Sequence, residues 1–147
     1  MTDIVDAARR SWNMGRIPSK DTEPELILRS SLQRYGFRFR LHRKNLPGRP
    51  DIVFPKYRVA MFVHGCFWHR HGCRRTYTPK SRIDYWTAKF ERNVARDSEQ
   101  HRKLIEAGWR VVTVWECAVK ELGAAEVVER FAEWLPKGEL ELQIPKT

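Results

Sequence analysis

The chain has 147 residues, a length that fits one domain able to bury most of its apolar side chains. No apolar run approaches the roughly 20 residues of a membrane span, and the acidic opening MTDIVDAA is unlike a secretory signal, so a soluble, cytoplasmic protein is expected. Lys and Arg number 28 against 18 Asp and Glu, and the resulting charge of +10 favours a polyanionic partner, nucleic acid first, over a merely soluble basic surface.

In chain order, residues 1–20 are basic after Asp6 and end in a proline turn, which suits a frayed helix or a mobile arm. The segment TEPE then reads as a capping box, with Thr22 as N-cap and Glu25 at the third helical position; Leu26, Ile27, Leu32 and Tyr35 follow at helical spacing before Gly36. FRFRLH alternates with period two and predicts a half-buried strand. LPGRP is a turn, and DIVF and RVAMFVH are short apolar runs meeting at PKY like a hairpin. After Pro79 a long helix runs from about Asp84 to Glu106 and stops at Gly108. WRVVTVWE reads as a buried strand, and Ala124 to Leu135 as a closing amphipathic helix before a polar tail. The expectation is a mixed α/β domain over residues 21–135, with helices covering a central sheet, an arm at 1–20 and a polar tail at 136–147.

Between the third strand and the long helix lies VHGCFWHRHGC, from Val63 to Cys73. Cys66, His71 and Cys73 are too close together for one core strand to bury all three. They suit tetrahedral zinc, with Cys117 at the end of the later strand as a long-range fourth ligand. The competing reading makes Cys66 and Cys73 small buried hydrophobes. The odd count of three cysteines argues against a disulfide scaffold. His64 and His69 remain over for other work, although either is able to replace His71 as ligand.

On the long helix Trp86, Phe90, Val94, His101 and Leu104 share a stripe with Asp97 in its middle. An inward carboxylate needs a partner, and a histidine competes with backbone amides or an arginine for that part. Lys89 and Asn93 flank the same stripe, facing either a ligand or solvent. Asp51, where a turn passes into an apolar strand, suits a Mg²⁺ ligand or a plain strand start. Trp109, Trp115 and Trp134 read as core. Phe67 and Trp68, between candidate ligands, either stack on bases or pad the zinc site.

Together LPGRPDIVF, FVHGCFWHRHGC, DYWTAKFERNVARD and GWRVVTVWEC, in this order between about Ser11 and Ala118, resemble the very short patch repair (Vsr) endonucleases. The resemblance implies a variant of the restriction-endonuclease core with a structural zinc. It also implies a nick 5′ of the mispaired T in a T:G mismatch left by deamination of 5-methylcytosine. Asp51 then matches the Mg²⁺-binding aspartate, with the backbone carbonyl of Val63 as a further ligand. His64 matches the catalytic histidine, Asp97 its carboxylate partner, Glu25 an acid near the metal waters and His69 a second active-site histidine. Cys66, His71, Cys73 and Cys117 match the zinc ligands. Phe67, Trp68 and Trp86 match the aromatic wedge beside the mismatch, Met14 enters from the other groove, and Lys89 and Asn93 lie near the mismatched pair. Val63 stands where Thr is usual, which a carbonyl ligand tolerates, and Arg70 where His is usual.

The implied partners are mismatched duplex DNA and, functionally, a cytosine-5 methyltransferase and a repair polymerase. The implied agent is a monomer at the nucleoid. Two rivals are a restriction-type nuclease cutting both strands of a matched site and a non-catalytic zinc-bearing DNA-binding module.

Overall fold

The helix expected after Thr22 forms as α1 (Glu23–Tyr35) in the computed structural model of the chain, which describes residues 22–66 and 81–145. Thr22 Oγ1 accepts from the Glu25 N–H at 3.4 Å, and Pro24 sits in the first turn, where a missing N–H costs no helical hydrogen bond. Gly36 closes the helix at φ 107°, a left-handed conformation that glycine takes without steric penalty. One half of the expected capping box is replaced: the Glu25 carboxylate turns inward to Arg29 and His42.

Five strands follow in a mixed sheet: β1 (Arg40–Leu41), β2 (Ile52–Phe54), β3 (Val59–His64), β4 (Arg110–Trp115) and β5 (Glu141–Ile144). They lie in the order β1-β2-β3-β4-β5, with β2 antiparallel to both β1 and β3, and β4 and β5 parallel to β3. The helix α2 (Ile83–Glu106) makes the crossover from β3 to β4 that a parallel pair requires. Two shorter helices, α3 (Glu116–Glu121) and α4 (Ala124–Trp134), return the chain to β5.

Alternation along the strands sorts the two faces. Val59 and Met61, with Ile52, Phe54, Val112, Val114, Leu142 and Ile144, face a large core closed by Leu28 and Leu32 of α1 and by Val127, Phe131 and Trp134 of α4. Ala60 and Phe62, with Val111, face the opposite way onto Leu104 of α2. The result is a sheet between helical layers, with Phe54 and Phe131 packed at a 4.9 Å ring separation. Each such fully buried aromatic contributes about 1.5–3 kcal/mol.

Three sequence expectations change. FRFRLH pairs through Arg40 and Leu41 alone, both exposed, because Phe37 and Phe39 instead fold onto the rings of Phe54 and Phe131. The polar tail 136–147 contains β5, whose Leu142 and Ile144 are buried and whose Glu141 and Gln143 are exposed. On α2, Val94 is 40% exposed, so the stripe expected to run unbroken is interrupted between Phe90 and Asp97.

Candidate active site

Strand direction gathers the polar residues. Because β1 to β3 alternate in direction and β4 follows β3, the end of β1, the start of β2 and the ends of β3 and β4 share one edge of the sheet. His42 follows β1, Asp51 precedes β2, His64 closes β3, and Cys66 and Cys117 lie two residues beyond the paired ends His64 and Trp115. Ligand sites form beyond strand ends of this kind, where loops diverge and side chains converge.

Asp51 is anchored by the sheet itself: the Val63 N–H donates to its Oδ2 at 2.8 Å, and its carbonyl accepts from the His42 N–H at 3.0 Å. Glu25, 1% exposed, reaches the same place from the first turn of α1. His42 Nε2 lies 2.8 Å from Glu25 Oε2, which also takes the Arg29 guanidinium. Ligand atoms of Glu25, His42 and Asp51 all fall within 4.8 Å of one another.

Burial pushes the Asp51 carboxyl up to about 7; the Glu25 charge adds to this, while the Val63 N–H, His42 and Arg29 act against it. A divalent cation between these groups would offset the two effects that resist ionisation. The donor set, two carboxylates and an imidazole, therefore fits such an ion.

His64 is 6% exposed and lies on the α2 face. Its ring stacks on His101 at 6.0 Å and 18°, meets Trp115 edge-on at 5.4 Å and neighbours Phe62 at 5.5 Å. His101 stands four residues after Asp97, so the two share one helix face, and Asp97 is half-buried there. Since Val63 holds Asp51 and His64 is the next residue, the β3 terminus links the carboxylate cluster to the histidine.

On the far side of His64, Cys66, Trp115 and Cys117 form a buried cluster, and the Cys66 N–H donates to Glu116 Oε1 at 3.0 Å. The parallel register explains the meeting of the thiols. Pairing of Val59 with Arg110 through His64 with Trp115 ends the two strands side by side, and the cysteines two residues beyond those ends meet in one buried cluster. Two of the four expected zinc ligands are thus adjacent; His71 and Cys73 lie outside the described residues, as do Met14, Phe67, Trp68 and His69. The donor chemistry of the two thiols suits zinc.

Trp86 is 1% exposed and packs on Tyr85 and Phe90. In the DNA-free chain its ring is therefore buried rather than displayed at the surface. Lys89 and Asn93 are half-buried, and the Asn93 Oδ1 accepts from Arg96 at 3.0 Å. His42 was absent from the candidate residues. Its signal was the antiparallel hairpin across LPGRP: pairing of Arg40 with Val53 and Leu41 with Ile52 carries on to His42 opposite Asp51.

The family described as DNA mismatch endonuclease Vsr matches residues 2–75, half of the chain. The chain is 44% identical to the DNA mismatch endonuclease Vsr of Escherichia coli (strain K12) over 138 residues, 92% of this chain and 88% of that one. It is 55% identical to the type II nicking enzyme V.XorIIP of Xanthomonas oryzae pv. oryzae over 126 residues, 86% of this chain and 93% of that one. A type II nicking enzyme of Neisseria meningitidis, V.NmeAIP, is 43% identical over 120 residues, 82% of this chain and 86% of that one.

Proposed function

The chain belongs to the Vsr family of DNA mismatch endonucleases, and we propose that it cuts one strand of duplex DNA 5′ to the mispaired T of a T:G mismatch. It is a DNA nicking endonuclease, a hydrolase of phosphodiester bonds. The observation that carries the fuller reading is Asp51 at the sheet edge, held by the Val63 N–H with Glu25 beside it and His64 next along β3.

Asp51 and the Val63 carbonyl would hold Mg²⁺, with Glu25 and His69 beside its waters. Such an ion supplies positive charge to the scissile phosphate and the departing 3′-oxygen. His64 accepts the proton of the attacking water on a ring nitrogen, and stacking on His101 with an edge-on contact to Trp115 confines the ring plane in which that nitrogen points. Asp97, on the helix face that brings His101 to His64, holds the imidazole and stabilises its charged form. The product carries a 5′-phosphate.

Cys66, His71, Cys73 and Cys117 would hold a structural Zn²⁺ that staples the segment after β3 to the end of β4. Phe67 and Trp68 wedge beside the mismatch, with Met14 opposite and Lys89 and Asn93 near the pair. Trp86 joins them once DNA binding uncovers it. Wobble pairs unstack more cheaply than paired steps, and the +10 charge offsets the few kcal/mol of unstacking through phosphate contacts. The enzyme acts as a monomer at the nucleoid, upstream of a repair polymerase and after a cytosine-5 methyltransferase.

A Mg²⁺-dependent cleavage assay on duplexes differing in mismatch and flanking bases tests this reading. The expected product is a single nick 5′ of T in T:G duplexes, with paired duplexes intact. Linearisation of matched plasmid would replace the reading with a double-strand nuclease. Mismatch binding without any Mg²⁺-dependent nick would make the domain a non-catalytic binder.

A further inference from the structure

We propose that His42, together with Glu25, joins Asp51 and the Val63 carbonyl as a direct donor to the divalent ion, and that the His42 nitrogen shifts the preference of the site from Mg²⁺ toward a first-row transition ion such as Mn²⁺. The inference rests on Asp51 being a metal ligand and adds to it.

Placement is the first argument. The β1–β2 register extends to put His42 across from Asp51, and the His42 N–H is bonded to the Asp51 carbonyl at 3.0 Å. His42 holds φ 48°, a left-handed conformation uncommon outside glycine though histidine tolerates it better than most residues. A hydrogen bond to the very residue that carries the metal-binding carboxylate keeps this backbone in place. The side chain is accordingly aimed along the sheet edge at Glu25 and Asp51 rather than into solvent, with 21% of its area exposed.

Spacing is the second. An ion bound at about 2.0–2.2 Å needs donors roughly 3 Å apart when adjacent and somewhat over 4 Å apart when opposite. His42 Nε2 and Glu25 Oε2, 2.8 Å apart, match an adjacent pair. All three donors already lie inside a 4.8 Å envelope, so loading requires small side-chain adjustments. On loading, the imidazole carries its proton on Nδ1 and lends the Nε2 lone pair, and Arg29 continues to balance the Glu25 charge.

Donor chemistry is the third. Carboxylate oxygens serve Mg²⁺ and Mn²⁺ alike, whereas imidazole nitrogen favours the transition ion and gives little to strongly hydrated Mg²⁺. An Asp51–Glu25 pair alone has no reason to discriminate strongly. With His42 it has one.

The test measures Mn²⁺ binding to the full, DNA-free chain by the electron paramagnetic resonance signal of the free ion, and Mg²⁺ binding by competition. His42→Gln and Asp51→Asn are compared with the unaltered protein. His42→Gln is expected to weaken Mn²⁺ about 10-fold while changing Mg²⁺ by less than about 3-fold. Pulsed spectra of bound Mn²⁺ are expected to show coupling to a directly bound ¹⁴N that disappears in His42→Gln.

An unchanged Mn²⁺-to-Mg²⁺ ratio overturns the proposal, whether both affinities fall together, as they would if His42 merely positioned Glu25, or neither falls. Absence of ¹⁴N coupling in the unaltered protein overturns it even if the variant fails to fold. Retention of the Mn²⁺ site in Asp51→Asn would instead overturn the metal role of Asp51, a separate failure.

Discussion

The two halves of one sheet edge differ in kind. Toward β1 and β2 it offers oxygens and one imidazole, from Glu25, Asp51 and His42; toward β3 and β4 it offers the thiols of Cys66 and Cys117. His64, stacked on His101 and flanked by the rings of Phe62 and Trp115, stands at the seam. Hard donors suit a catalytic ion that keeps its waters, and soft donors suit a tetrahedral structural ion. The lesson is that a common backbone edge brings side chains together, while donor type decides what each half is able to bind.

If the halves are chemically separate, damage to one should leave the other loaded. The largest effect is expected at Asp51. Asp51→Asn should lower Mg²⁺-dependent nicking by about 10³-fold or more and leave zinc content and mismatch binding unchanged, measured by single-turnover cleavage, metal analysis and gel shift. Equal loss of binding would make Asp51 structural.

The same variant has a stability signature with a definite sign. In the folded metal-free protein the Asp51 carboxyl is raised from 3.8 to about 7, so between these values the native state keeps a proton that the unfolded chain has released. Its contribution is therefore most favourable below about pH 4 and declines as pH rises toward 7. Asp51→Asn should raise Tm relative to the unaltered protein at pH 8 and lose that advantage at pH 4. A divalent ion should raise Tm of the unaltered protein at pH 8 and not of the variant.

Next in size is the thiol half. Cys117→Ala should release zinc and lower Tm by roughly 10 °C, because losing a structural metal costs several kcal/mol at about 2–4 °C per kcal/mol. Divalent-ion binding at Asp51 should survive at temperatures where the variant is folded. A metal-replete Cys117→Ala would return the thiols to the role of small buried hydrophobes.

The smallest effect is expected at the seam. His101→Ala removes a stacked ring and should cost about 1 kcal/mol by denaturant melt, with both metal loads intact and nicking reduced through a looser His64. Loss of either metal would couple the halves through the seam and dissolve the comparison.

Local signals read correctly where they are local. Thr22 and Gly36 bound α1 because cap chemistry acts within one turn, and the helical period carries α2 from Ile83 to Glu106 as expected. The buried runs of β2, β3 and β4 were equally plain. β5 was hidden because Glu141 and Gln143 alternate with Leu142 and Ile144, and a half-exposed strand in a charged stretch resembles a tail until a neighbour pairs with it. Trp86 carries two readings at once: its place on the inward stripe of α2 agrees with its burial, while its match to the aromatic wedge came from the resemblance alone.

What the sequence by itself determined is the supply of chemistry: the thiols, histidines and carboxylates, their spacing along the chain, the motif order that resembles Vsr endonucleases and the helices whose signals are complete within a few residues. Tertiary structure alone decided which of these groups meet. Register ended β3 and β4 side by side, so that Cys66 and Cys117 just beyond them meet, and set His42 across from Asp51, while the inward turn of Glu25 closed the carboxylate cluster. The reason is that strand pairing is a long-range choice with period two, so a shift of one residue would send the side chains at these strand ends to the other face while leaving the amino-acid order untouched.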